Sequence, residues 1–141
     1  MKVDRVFLDA NILYSVCHGS PGLERLWDLA EKGACRLPAS GYVIDEARRN
    51  LQSPERVRRL DDFLLHMEVV LEADMRIECP VSLDERDRPV LMAAISAWAD
   101  YLLTGDKRHF GDYFGQRIAG VEVCLPRKYL LSRIHREKNA E

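Results

Sequence analysis

Short apolar runs alternate with helical patterns along this chain, and that alternation restricts the possible folds more than any other feature. Runs with the length and composition of short buried strands occur at residues 3–8, 35–38, 75–79, 101–104 and 121–125. Between them, apolar residues recur at the spacing of amphipathic helices. Because strands that alternate with helices pair in parallel through right-handed crossovers, the sequence predicts an α/β fold. Its central sheet should be mainly parallel, with about five short strands.

Helix start and stop signals mark the segments between the predicted strands. Ser20 and Pro21 are typical of the first positions of a helix, and Gly33 is typical of the position after its end. The remaining helices are predicted at residues 10–16, 40–51, 54–72, 86–99, 107–113 and from 126 onwards. The helix at 86–99 is apolar on nearly every face, including Trp98, so we expect it to be mostly buried.

Length and composition indicate one globular domain over residues 1–141. Of the 141 residues, 47% are hydrophobic and 31% are charged, which is the balance of a folded protein rather than a disordered one. The net charge of -2 excludes a uniformly basic nucleic-acid coat, so any contact with nucleic acid must be local. Acids gathered into a metal site would also lower the net charge, and the mild acidity therefore does not exclude a nuclease.

The cysteines and the apolar runs indicate the compartment. None of the 4 cysteines stands at metal-ligand spacing from another, so we interpret them as small buried residues in a reducing cytosol. The chain has no signal-peptide pattern, and no apolar stretch reaches the ~18 residues of a membrane span. We therefore expect a cytoplasmic protein with no membrane partner.

Two acids follow predicted strands directly. Asp9 comes after Val-Phe-Leu, and Asp106 comes after Tyr-Leu-Leu-Thr-Gly. Ligands of open α/β sheets bind beyond the carboxyl ends of the strands, where these carboxylates would meet if the strands are parallel neighbours. Like charges at short range repel unless a cation neutralises them, and a hard cation such as Mg²⁺ or Mn²⁺ prefers oxygen ligands. The alternative is that each acid only caps the helix that follows it.

Two further acids border predicted buried faces. Asp87 stands at the start of the buried helix, where the helix dipole favours a negative charge, although a plain N-cap is an alternative. Asp84, three residues earlier, is interpreted as a residue of the loop surface, although the sequence does not decide which of the two acids faces a metal. Glu46 borders the apolar stripe of its helix while Asp45 points further away from it. The alternative for Glu46 is an ordinary surface residue.

Basic residues cluster near these acids and suit a phosphate backbone. The candidates for phosphate contacts are Arg49, Arg88, Lys107 and Arg108. Solvated helix ends are the alternative explanation for each of them. His109 is interpreted as a surface or phosphate contact, since no histidine has a convincing position as a catalytic base.

Three segments together resemble the PIN domain, in particular the bacterial and archaeal members that include VapC-type toxins. These segments are FLDANIL near the N-terminus, YVIDEARRNL in the middle, and DRPVLMAAISAWADYLLTGDKRHF in the last third. The resemblance spans nearly the whole chain in order, and the third segment is the most specific. It implies a three-layer α/β/α sandwich, a site for Mg²⁺ or Mn²⁺ built from acids, and ribonuclease activity.

The resemblance also assigns roles to individual residues. The family's four acids fall on Asp9, Glu46, Asp87 and Asp106, which would hold the metal and carry catalysis. Its accompanying polar residues fall on Asn11 and Thr104, which would orient ligands or waters. The implied partners are an RNA substrate, an antitoxin protein if the chain is a toxin, and a second copy in a homodimer.

Two other functions are compatible with parts of the pattern. A haloacid-dehalogenase-like phosphatase also begins with an Asp after its first strand, but it needs a second Asp at the position of Asn11. The non-enzymatic alternative is a PIN-like module that binds RNA or protein without cutting, in which the acids form a structural metal site. Sequence alone leaves this second alternative open.

Overall fold

A computed structural model describes residues 2–140, with a five-stranded sheet, a two-stranded sheet and seven α-helices in that part of the chain. The strands are β1 (Asp4–Leu8), β2 (Cys35–Arg36), β3 (Pro38–Ser40), β4 (Glu68–Val70), β5 (Tyr101–Leu103), β6 (Arg117–Ile118) and β7 (Val121–Cys124). The helices are α1 (Ala10–Cys17), α2 (Pro21–Glu31), α3 (Gly41–Asn50), α4 (Pro54–Leu64), α5 (Arg88–Ser96), α6 (Lys107–Phe110) and α7 (Pro126–Ala140), and a 3-10 turn follows α6 at Gly111–Tyr113.

The central sheet has the strand order β2-β1-β5-β7-β6. All of its pairs are parallel except β6 with β7, so the predicted α/β class and mainly parallel sheet are confirmed. In the pair of β1 with β5, Leu8 lies opposite Leu103. This register brings the carboxyl ends of the two strands to the same edge of the sheet.

Both faces of the central sheet are covered. Val6, Phe7 and Leu8 are each 0% exposed, although neighbouring residues of a strand point to opposite faces. Successive residues are buried in this way when both faces of a sheet are covered, and helices cover the faces of parallel sheets. The fold is therefore an α/β/α sandwich, as predicted. Within the described residues, no helix is long and apolar enough to cross a membrane.

The predicted helix at 54–72 is wrong in its second half. Helix α4 ends at Leu64, and Glu68–Val70 forms β4 instead, paired in parallel with β3. A long-range ion pair holds the strand in place, because both terminal nitrogens of Arg5 donate to the Glu68 carboxylate at 3.0 Å. The apolar spacing fitted a helix, but the β-branched pair Val69-Val70 and this distant partner favour a strand.

Other strand predictions also needed correction. Residues 75–79 form no strand, since Asp74 folds this segment into a turn by accepting hydrogen bonds from the backbone and side chain of Arg76. The run at 35–38 divides into β2 and β3, which join different sheets. The two-residue strand β6 was not predicted, because Arg117–Ile118 is too short to show a period.

The predicted buried helix ends before Trp98. Helix α5 stops at Ser96, and Trp98 has a φ of 59° and is 85% exposed. A left-handed turn at this residue sends the indole into solvent. The helix itself is buried as expected, with Val90, Leu91 and the following residues in the core.

The far end of β1 is tied to α7 by a buried carboxylate. Asp4 is 1% exposed, and its Oδ2 accepts hydrogen bonds from Tyr129 at 2.8 Å and from Arg136 at 2.6 Å. Arg133 lies 3.3 Å from the same oxygen. Burial alone would raise the pKa of Asp4, but the hydrogen bonds and positive charges outweigh it and hold the pKa below its ordinary value.

We expect Asp4→Asn to lower the free energy of unfolding by about 3 kcal/mol at pH 7, because it removes the buried negative charge that faces Arg133 and Arg136. The loss should shrink as the pH falls through the lowered pKa of Asp4, since the native carboxyl is then also neutral. Urea denaturation measures both effects. Asp62→Asn, on an exposed position of α4, should change stability by less than about 0.5 kcal/mol. Equal effects of the two variants would contradict this role for Asp4.

Candidate metal centre

A cleft of about 480 Å³ opens at the carboxyl ends of β1 and β5. All four acids that the sequence singled out line it: Asp9, Glu46, Asp87 and Asp106. They come from four separate elements, so only the folded chain brings them together. Tyr14, Asn50 and Gln52 are among the other lining residues.

Asp9 is the most deeply buried acid of the cleft, at 5% exposure. Its Oδ1 accepts a hydrogen bond from the backbone N–H of Ala10 at 2.7 Å and caps α1. Its Oδ2 accepts one from Asn11 Nδ2 at 3.1 Å and one from the Thr104 hydroxyl at 2.8 Å. The capping alternative is therefore true of Asp9, but capping does not prevent it from facing the other acids.

Asn11 and Thr104 join the ends of the two central strands. Asn11 Nδ2 also donates to Thr104 Oγ1 at 3.2 Å, and its Oδ1 accepts from the Gly105 N–H at 2.8 Å. Thr104 Oγ1 in turn accepts from the Asp106 N–H at 3.1 Å. This network orients the carboxylate of Asp9 and sets the backbone that carries Asp106. Both residues that the resemblance assigned as orienting groups therefore lie beside Asp9.

Burial raises the pKa of Asp9 to about 6. The hydrogen bonds from Thr104 and Ala10 act in the opposite direction, while the charges of Glu46 and Asp87 raise the pKa further. The shift means that an isolated anion is unfavourable at this position. A bound cation would remove that penalty.

Asp87 stands at the N-terminus of α5 without capping it through its side chain. Its Oδ2 is buried and accepts no hydrogen bond within the described part of the chain. Burial raises its pKa, and the nearby acids Asp106 and Asp84 add to the effect while His109 opposes it. Asp84 is exposed, accepts from the N–H of Arg86 and does not line the cleft. Of these two acids, only Asp87 lines the cleft.

Asp106 caps α6 by accepting from the His109 N–H at 3.0 Å through Oδ1. Its Oδ2 lies 3.1 Å from His109 Nδ1, which also lies 2.9 Å from Asp87 Oδ2. The sequence predicts only a surface or phosphate contact for His109, whereas the structure places it between two acids. The position three residues after Asp106, on the same helical turn, was the available signal.

Glu46 lies on α3 and is half-buried, whereas the neighbouring Asp45 is exposed. This agrees with the prediction that Glu46 borders the buried face of its helix. Its charge reaches across the cleft, since it raises the pKa of Asp9 on another element.

None of the residues predicted to contact phosphate lines the cleft: Arg49, Arg88, Lys107 and Arg108. Arg88 Nε donates to the carbonyl of Leu83 at 3.1 Å and borders a different depression. Arg86, two residues before it, does line the cleft. The sequence shows a basic cluster at this point. Which of its arginines lines the cleft depends on how the backbone runs into α5, and the structure shows that it is Arg86.

Comparison with known proteins identifies the family. The sequence model of the PIN domain matches residues 5–108, which include all four acids of the cleft. The chain belongs to the PIN domain family. No match was found among curated protein sequences. Among solved structures, the fold is similar to a chain of VapBC2 from Rickettsia felis, whose crystal structure was determined with a DNA fragment from its promoter. The TM-score is 0.61 at 18% identity, and the match covers 84% of this chain and 96% of that one.

The acids of this PIN domain fit a hard divalent cation. They supply carboxylate oxygens, which are the ligands that Mg²⁺ and Mn²⁺ prefer. Asp9 has a raised pKa, and Asp87 presents a buried oxygen that accepts no hydrogen bond from the residues the structure describes. Both features are unfavourable in the metal-free protein and would be relieved by a cation.

In EDTA, we expect the unfolding free energy of the wild type to fall relative to that of Asp9→Asn as the pH rises from 4 to 7. The pKa of about 6 lies above the ordinary 3.8, so the wild type binds an extra proton on folding and loses that contribution as the pH rises through 6. The difference in unfolding free energy should change by about 2–3 kcal/mol over this range. Asn is an equally good helix cap, which limits other effects.

Urea denaturation at several pH values measures this change. Asp45→Asn, on the exposed side of α3, provides the control and should run parallel to the wild type. A parallel profile for Asp9→Asn as well would show that the buried carboxylate is not destabilised in the metal-free protein.

Proposed function

We propose that this PIN domain is a divalent-metal-dependent ribonuclease that hydrolyses RNA phosphodiester bonds. The observation that carries the proposal is the convergence of four carboxylates on one cleft, with Asp9 buried and ionised only at a cost. Like charges gathered in one cleft are unfavourable unless a cation neutralises them. PIN domains are generally nucleases, and no acid of the cleft is missing here.

The residues of the cleft would have two different roles, metal binding and the orientation of a metal ligand. Asp9, Glu46, Asp87 and Asp106 would hold Mg²⁺ or Mn²⁺. When bound, such a cation lowers the pKa of a water molecule and neutralises charge that develops on the phosphate. Asn11 and Thr104 keep the Asp9 carboxylate in a fixed orientation through their hydrogen bonds.

Phosphate binding near these acids requires positive charge. Arg86 lines the cleft and is the first candidate to hold the substrate backbone. Arg49, Lys107 and Arg108 are exposed on the elements that surround the cleft, and we propose that they contact RNA beyond the scissile bond.

We expect Asp87→Asn to reduce the rate of RNA cleavage about 100-fold or more in the presence of Mn²⁺, because it removes a metal-facing oxygen. EDTA should abolish cleavage by the wild type. Asp62→Asn is the control: it changes an exposed aspartate of α4 that lies outside the cleft, and it should retain nearly full activity. Cleavage of labelled single-stranded RNA, followed on denaturing gels, measures the rates.

The binding-module alternative is tested in the same samples. If Mn²⁺ raises the melting temperature of the wild type but not of Asp87→Asn, the cleft holds metal. If metal binds and no RNA of any length is cut, the protein is a non-catalytic module with a structural metal site.

We further propose that the chain acts as the toxin of a toxin–antitoxin pair, with an antitoxin as partner and a second copy in a homodimer. The support is the fold shared with a chain of the VapBC2 complex. An antitoxin would cover the acidic cleft and so prevent substrate from entering.

Induced expression in bacterial cells tests the toxin role. We expect wild-type protein to arrest growth and Asp9→Asn to permit it at equal protein levels, because the variant lacks a metal-binding carboxylate. Growth at the normal rate with the wild type would argue against a toxin, and arrest by both forms would show that toxicity does not depend on catalysis.

A further inference from the structure

His109 occupies an unusual place beside the acidic cleft. Its Nδ1 lies 2.9 Å from Asp87 Oδ2 and 3.1 Å from Asp106 Oδ2. The three ligand atoms lie within 4.8 Å of one another, and all three side chains are partly buried. A nitrogen donor thus stands beside two carboxylates at the edge of the cleft.

The short contact between His109 and Asp87 is not a hydrogen bond. Asp87 Oδ2 accepts none from any described residue, although the imidazole nitrogen is only 2.9 Å away. The nitrogen and the oxygen are therefore close without being aligned on each other. Ligands that point at a common ion have this relation. With bonds of about 2.1 Å to one ion, two ligand atoms at right angles are about 3 Å apart.

The backbone fixes the imidazole in this position. Asp106 Oδ1 accepts from the His109 N–H at 3.0 Å, which holds the first turn of α6. Phe110, the next residue, is 0% exposed and anchors the same turn in the core. Asp106 and His109 therefore move as one unit, with a carboxylate and an imidazole on the same side.

We propose that His109 is a nitrogen ligand of the metal site and makes the site prefer Mn²⁺ to Mg²⁺. This rests on the proposed function, because it needs a cation held by Asp87 and Asp106. Mn²⁺ is a first-row transition-metal ion and accepts an imidazole nitrogen more readily than Mg²⁺, which takes oxygen ligands. A site built of carboxylates alone would discriminate less.

Pulsed electron paramagnetic resonance of bound Mn²⁺ tests the ligand directly. With protein labelled with ¹⁵N-histidine at pH 7.5, we expect hyperfine coupling from one imidazole nitrogen. The coupling should vanish in His109→Gln and persist in His66→Gln, which alters an exposed histidine outside the cleft. Bound Mn²⁺ without nitrogen coupling would overturn the proposal and leave the carboxylate site standing. Failure to bind Mn²⁺ at all would instead overturn the proposed metal-dependent function.

Calorimetric titration with Mn²⁺ and with Mg²⁺ tests the selectivity. We expect His109→Gln to weaken Mn²⁺ binding about 10- to 100-fold while Mg²⁺ affinity changes much less. An equal loss for both ions would show that His109 only positions the carboxylates, and the proposal would be wrong. Circular dichroism of both variants confirms that the fold is intact.

Discussion

Parallel pairing of β1 with β5 is the interaction on which the site depends. Leu8 lies opposite Leu103, and the N–H of Asp9 donates to the Leu103 carbonyl at 3.1 Å. The buried side chains of both strands hold this register, because a slip of one residue would turn each of them to the opposite face. The register places Asp9 beside Thr104 and so brings two distant parts of the chain to one edge of the sheet.

Two buried aspartates lie at opposite ends of β1, and their surroundings differ. Asp4 is the first residue of the strand, and Asp9 directly follows its last residue. Asp4 is matched by the cations Arg133 and Arg136, and its pKa falls. Asp9 accepts its hydrogen bonds from a backbone N–H, an amide and a hydroxyl, and its pKa rises. The first acid is satisfied within the protein and stabilises it. Among the described residues, no cationic side chain donates a hydrogen bond to the second acid, and an external cation would meet that need.

The acidic cleft lowers the free energy of unfolding, and other interactions of the fold must offset that loss. Gathering Glu46 and Asp87 near Asp9 raises the free energy of the ionised protein. Hydrophobic burial on the faces of the central sheet provides stabilisation that offsets this loss. Phe7 and Leu102, for example, are fully buried there. A metal-loaded protein should therefore be more stable than the metal-free one.

The sequence by itself determined the α/β class and the four acids of the cleft, because strand and helix periods are local and the family pattern spans the chain. It did not determine that Glu68–Val70 forms strand β4, because these residues also fit a helical period. Their pairing with β3 and the ion pair with Arg5 favour the strand, and both are long-range contacts. Nor did the sequence place His109 between Asp87 and Asp106. The direction of a side chain at the end of a helix depends on how that helix packs against the other elements. The position of His109 was therefore decided by the tertiary structure alone.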